Sequence, residues 1–162
     1  MKKRVIFNVV IYFSLILLIG CVKSENNQIT NPFNDIPIDS TKRIEFSNLI
    51  ITSDEKELGR SKIVTDEIDI KTIGEYLKPI NCISSNKKEK DPDFQISLID
   101  NMDKEKNYLY SIGFSKNQIY IYDYTDENTN ISVYEYTDTE VIEDLEKLYN
   151  DMDYEEELLM KK

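Results

Sequence analysis

Two thiols, eleven phenols and thirty-one carboxyl side chains are the reactive groups of this chain, and it contains no imidazole. Without histidine, the commonest general base and nitrogen ligand is missing, and a cysteine–histidine nucleophile is excluded. No serine stands in a GxSxG turn, and no glycine-rich phosphate loop occurs. Carboxylate pairs serve glycosidic chemistry, but so many acids single out no pair. A non-catalytic chain is therefore expected, with a hydrolytic enzyme as a minor alternative. Asp126, Asn128 and Asn130 have the one-three-five spacing of a calcium loop, yet Ile131 and Thr137 stand where such a loop needs Gly and Glu. A hairpin turn is the better reading there, and no metal or other cofactor is expected.

The tyrosines are the next candidates. In a strand, alternate residues point to opposite faces, so strands at 119–124 and 131–136 sort their side chains into two sets. Ile119, Ile121, Ile131 and Val133 are expected on one face, under the helices. Tyr120, Tyr122, Tyr124, Tyr134 and Tyr136 are expected on the other, partly exposed. Tyrosine joins an apolar ring to a polar tip and is a frequent binding anchor, which makes these five residues a candidate binding face. Rings paired across strands would also stiffen a solvent-facing sheet with no partner at all.

Of the two thiols, Cys82 sits between Ile80 and Ile83 and reads as a small buried hydrophobe. Cys21 follows Leu18, Ile19 and Gly20, behind Lys2, Lys3, Arg4 and an apolar stretch from Val5 to Ile19. That stretch is shorter than the roughly 20 residues that cross about 30 Å of hydrocarbon, and its basic start and small-residue end fit a cleaved export signal. The LIGC string resembles the lipobox of bacterial lipoproteins, which implies that Cys21 carries the acyl chains and becomes the new N-terminus. Two or more chains hold a protein stably at a bilayer. The expected location is the extracytoplasmic face of the cell membrane, lipid-anchored. With Cys21 alkylated, no intramolecular disulfide is available.

Loss of Lys2, Lys3 and Arg4 with the signal takes the formal charge from −11 to −14. So acidic a domain disfavours nucleic acid, whose affinity rests on clustered Lys and Arg. Expected partners are the membrane, through the lipid, and a protein or cell-envelope component. A small-ligand or cation-binding lipoprotein is the alternative.

The elements that must position these groups follow from periodicity. Residues 1–20 read as the signal peptide, 21–41 as the lipidated cysteine and a polar flexible tether, 42–152 as one folded domain, and 153–162 as an acidic tail or frayed helix end. Ile44, Phe46 and Ile50 suggest a first strand within 43–52, and 53–60 a charged connection. Ile70, Ile73 and Leu77 form a helical stripe that Asp66 or Asp69 caps and Pro79 ends, with Gly74 an unfavourable interior residue. Four short strands follow at 94–99, 108–114, 119–124 and 131–136, separated by polar turns. Thr137 with Glu140 matches a capping box for a helix striped by Val141, Leu145, Leu148 and Met152. The expected fold is α+β: an antiparallel meander of four strands plus one N-terminal strand, with two helices on one face. Taken with Leu145, Leu148 and Tyr149 in a Leu-x-x-Leu-Tyr ending, this arrangement resembles the small single-domain lipoproteins of unknown function of Gram-positive bacteria.

Overall fold

The computed structural model describes residues 28–50, 58–102 and 105–159. Cys21 and the signal lie outside the described residues. The expected meander is present as β5 (Phe94–Ile99), β6 (Tyr108–Ser115), β7 (Gln118–Asp123) and β8 (Asn130–Tyr136), each antiparallel to the next. It is only the middle of a larger sheet. Adding β1 (Ile29–Thr30), β2 (Arg43–Asn48), β3 (Arg60–Val64), β4 (Cys82–Ser84) and β9 (Glu156–Leu158) gives nine antiparallel strands in the order β1-β4-β8-β7-β6-β5-β2-β3-β9. The expectation of four meander strands plus one is thereby corrected. Apart from β2, the expected N-terminal strand, the added strands are two to five residues long, too short to announce themselves by alternation.

Two helices are described. Helix α1 (Glu67–Leu77) starts where the Asp66 side chain accepts the Ile68 N–H at 2.8 Å, and it buries Ile70, Ile73 and Leu77. Helix α2 (Val141–Asp151) buries Val141, Leu145 and Tyr149. Its start differs from the expected capping box: Glu140 occupies the cap without a side-chain bond, and Asp138 Oδ1 accepts the Glu140 N–H at 3.0 Å. Its far end is tied down by Lys62 of β3. That ammonium donates to the carbonyls of Tyr149 (2.8 Å) and Met152 (2.6 Å) and sits 4.7 Å from the centre of the Tyr149 ring. A helix leaves its last carbonyls without intrahelical donors, and a cation there also meets the negative end of the helix dipole. The buried lysine thus replaces an apolar residue opposite Phe46 and hides β3 from a hydrophobicity pattern.

Cross-strand partners share a face, so the register defines the core. Phe46, Ile96, Ile112 and Ile121 are partners in succession, as are Phe94, Phe114, Ile119 and Tyr134. Tyr149 of α2 meets Phe46 edge-on at 5.3 Å and Phe94 at 6.3 Å on this face. The Tyr76 hydroxyl of α1 donates to the Val141 carbonyl at 3.0 Å and links the helices.

The segment expected to be a flexible tether is the largest correction. From residue 28 it forms β1 and two 3₁₀ turns, Pro32–Asp35 and Ile38–Ser40, and buries Phe33, Ile36 and Ile38. Phe33 stacks on Phe114 at 6.4 Å. Asn31 accepts the Phe33 N–H at 3.1 Å through its side-chain oxygen and donates through its amide to the Lys78 carbonyl. At Gly74 a Cβ would crowd the Asp39 side chain, in the space where the Ile38–Ser40 turn docks on α1. The expected acidic tail is likewise part of the sheet, as Glu156–Leu158 pairs with β3 and Arg60 bridges to Glu156 at 3.0 Å.

Candidate functional site

The five candidate tyrosines do not share a face. Ile119 is the partner of Tyr134, Tyr120 of Val133, and Tyr122 of Ile131. Tyr134 and Tyr136 therefore point with Ile119 and Ile121 toward the helices, while Tyr120 and Tyr122 point with Ile131 and Val133 to the second face. The connection of residues 124–129 fixes this phase. Changing a connection by one residue would move every side chain of one strand to the opposite face, and residue types alone do not specify it.

Each tyrosine then has its own environment. Tyr136 is buried, and its hydroxyl donates to the Ser115 carbonyl at 2.7 Å; burial pushes its phenol up to about 12. Tyr134 is half-buried and packs against the core. Tyr120 is wholly buried although it lies on the second face. Its hydroxyl donates to Gln118 Oε1 (2.8 Å), accepts the Lys90 N–H (2.7 Å) and lies 3.0 Å from Ser115 Oγ. The connection after β4 crosses this face. Pro92 lies so near β6 that a Cβ on Gly113 would meet it at 3.3 Å, so glycine permits the approach.

Tyr122 and Tyr124 remain as a surface pair. Their rings stack at 6.4 Å and 9°. Tyr122 is half-buried and donates its hydroxyl to Glu89; Tyr124 is 39% exposed. Next to Tyr122 on β8 is Ile131, 49% exposed. Together they make a small aromatic and aliphatic patch, set by β7, β8 and the crossing connection.

Three residues not singled out from sequence flank this patch. The Tyr108 hydroxyl donates to Glu45 Oε2 at 2.7 Å, and Lys106 Nζ contacts Glu45 Oε1 at 2.5 Å. Simple alternation would put Tyr108 beside Tyr110 on the core face. A register shift between Leu98 and Ile99 in the β5–β6 pairing makes Tyr108 the partner of Ile99 and turns it to the second face. Farther along β5 and β6, Gln95, Ser97 and Ser111 form a hydrogen-bonded row, with 3.1 Å and 2.8 Å separations.

The electrostatics oppose nucleophilic use of these groups. Burial, then the hydrogen bond to a carboxylate, raises the Tyr108 and Tyr122 phenols well above the usual range. Glu135 is held below the usual carboxylate range by hydrogen bonds from Lys87 and Ser85. Cys82 is buried and its thiol is pushed up to about 12 by burial, which removes the thiolate needed for reactivity. Among the described residues, no three His, Cys, Asp or Glu side chains converge as a metal site. In the 124–129 connection, Asp123 Oδ1 accepts the N–H (2.9 Å) and hydroxyl (2.6 Å) of Thr125, the local bonding of a turn. Comparison of the chain with protein-family models, curated proteins and solved structures returns no match.

Proposed function

We propose that this protein is a lipid-anchored module of the extracytoplasmic membrane face, held by Cys21, that binds a protein partner without catalysis. The observation that carries the binding reading is the stacked Tyr122–Tyr124 pair beside exposed Ile131. Stacked rings lose little conformational freedom on contact and offer both apolar area and hydroxyl donors, the properties of interface anchors. The polar groups around them are engaged with one another: Glu45 with Tyr108 and Lys106, Glu89 with Tyr122, and Glu135 with Lys87. Such pairing suits a recognition surface of fixed shape better than an acid–base pair poised for proton transfer. The anchor rests on the LIGC string and the basic-apolar segment before it.

Two measurements test the two halves separately. The N-terminal peptide of the membrane-extracted protein should carry the mass of acyl chains, and Cys21→Ser should release the protein from the membrane; an unmodified peptide ends the anchor reading. A photocrosslinking residue in place of Tyr124 should give a discrete adduct on intact cells. The same residue in place of exposed Glu143 should not, and equal yields at both positions would overturn the patch as a binding surface.

A further inference from the structure

Strand β8 is longer than the strand that covers it. It runs from Asn130 to Tyr136, but β4 pairs only with Tyr134, Glu135 and Tyr136 on its outer side, and the Ser85 N–H ends the contact on the Val133 carbonyl at 2.8 Å. The chain then leaves the sheet and crosses the second face, where Glu89 meets Tyr122 and the Lys90 N–H meets Tyr120. Among the described residues no strand lies beside Asn130, Ile131 and Ser132 on that side, and all three are exposed.

Two bonds fix which backbone groups are left open. Successive residues of an antiparallel strand turn their N–H and C=O groups to alternate neighbours. The Val133 carbonyl faces β4, whereas the Tyr136 N–H faces the other way and donates to the Asn117 carbonyl, just before β7, at 3.3 Å. Ile131 has the parity of Val133, so its N–H and C=O point outward, on the line of β4. Unpaired groups along a strand edge are a template for a further strand. Shortness is no obstacle, since β1 and β9 join this sheet through two and three residues.

The surroundings select the occupant. A residue paired with Ile131 in antiparallel register puts its side chain on the second face, beside Ile131 and the Tyr122–Tyr124 stack. Its neighbours turn to the opposite face, which at this end carries Asn130 and its cross-strand partner Asp123. The stretch from Asp123 to Thr129 holds three acids, Asp123, Asp126 and Glu127, and no base. Apolar residues alternating with Lys or Arg therefore suit both faces. A second copy of the chain fits worse. Paired symmetrically about Ile131, its residues 127 and 128 would fall where β4 already lies beside Glu135 and Tyr134, and both copies carry a net charge of −11.

We propose that β8 accepts, along Asn130–Ser132, an extended segment of the partner protein as an added antiparallel strand that continues the line of β4. Its apolar side chains lie on the face of Ile131 and Tyr122, and its basic ones face Asp123 and the acidic turn. This inference rests on the binding reading and gives it a mode, in which main-chain bonds attach the segment and alternate side chains select it.

The probe is a synthetic peptide with blocked ends, Lys-Val-Lys-Val-Lys-Val-Lys, added to the full isotope-labelled chain in nonionic micelles. In the free protein the Ile131 N–H should exchange with solvent faster than the Ser132 N–H, which faces β7. Saturating peptide should slow exchange at Ile131 by about tenfold or more and leave Ser132 unchanged. Equal protection of both amides without peptide would show the edge already covered and overturn the proposal. Methylating the valine nitrogens, which face β8 in this register, should weaken binding about tenfold, and methylating the lysine nitrogens less than about threefold. Equal effects, or equally tight binding of a peptide with Glu in place of Lys, overturn it. Protection of Ile131 that grows with protein concentration alone assigns the edge to a second copy and overturns it too. A discrete adduct at position 124 on cells with Ile131 unprotected by peptide sinks strand addition only; absence of that adduct is the separate failure of the binding reading.

Discussion

The segment from residue 28 to 41 and the β7–β8 hairpin are opposite cases of how composition relates to burial. The first is dominated by Asn, Asp, Ser, Thr and Pro, yet it sends Phe33, Ile36 and Ile38 into the core. The second is a dense alternation of Tyr and Ile, yet its tyrosines are divided between two faces and range from wholly buried to 39% exposed. The difference is one of mechanism. Isolated apolar residues anchor an irregular segment when 3₁₀ turns and side-chain caps satisfy its backbone, as Asn31 does for the turn at Pro32–Asp35. In a hairpin, alternation defines two sets on each strand, but the pairing decides which sets unite.

The largest expected effect attacks the first half of this comparison. Phe33→Ala removes a fully buried ring stacked on Phe114, and such truncations cost about 3–5 kcal/mol. Tyr124→Ala, in the residue-rich hairpin, should change stability by no more than about 0.5 kcal/mol, as exposed positions do. Urea titration of the two variants measures both. A small effect at Phe33 would return the segment to the status of a linker.

A smaller effect tests the division within the hairpin. Tyr136→Phe keeps the ring but leaves the buried Ser115 carbonyl without its hydroxyl donor, at a cost of about 1–3 kcal/mol. Tyr122→Phe removes a surface bond to Glu89 and should cost less than about 1 kcal/mol. Equal losses would mean that the two tyrosines share one environment, as simple alternation within the two strands suggests, and not the two that the register creates.

These regions also mark what is readable from residues alone. The strand at 94–99, the strand expected at 108–114 and found at 108–115, and the helix at 67–77 follow periodicity, because alternation, capping by Asp66 and termination at Pro79 are local signals. The strands β1, β3, β4 and β9 were not legible, since two to five residues hold too few turns of the pattern and Lys62 stands in a core position of β3. Of the five candidate tyrosines, Tyr122 and Tyr124 make the surface pair. Tyr108 and Glu45 meet only because a strand irregularity turns one of them, and no residue type announces that irregularity. The fold is thus visible where it is local and hidden where distant segments choose their partners.

A dependence on alkaline pH separates two groups that the register joins. Cys82 of β4 is the cross-strand partner of Tyr136 of β8. Burial pushes the thiol from about 9 and the phenol from about 10 up to about 12. For both groups the neutral form is favoured in the folded protein, so the unfolded chain loses its proton first as pH rises. Their stabilising contribution is complete below about pH 9, declines above that for Cys82 and above about pH 10 for Tyr136, and is lost by about pH 12. Each group can impose a slope no steeper than roughly 1.4 kcal/mol per pH unit. Urea titrations at successive pH values should show stability falling from pH 9 upward. Cys82→Ala should flatten the first part of the fall, and Tyr136→Phe should lessen the part above pH 10, to which the raised phenols of Tyr76, Tyr108, Tyr122, Tyr149 and Tyr154 also contribute. A slope unaltered in both variants would place the titrating groups elsewhere and separate this pair from the buried side of the hairpin.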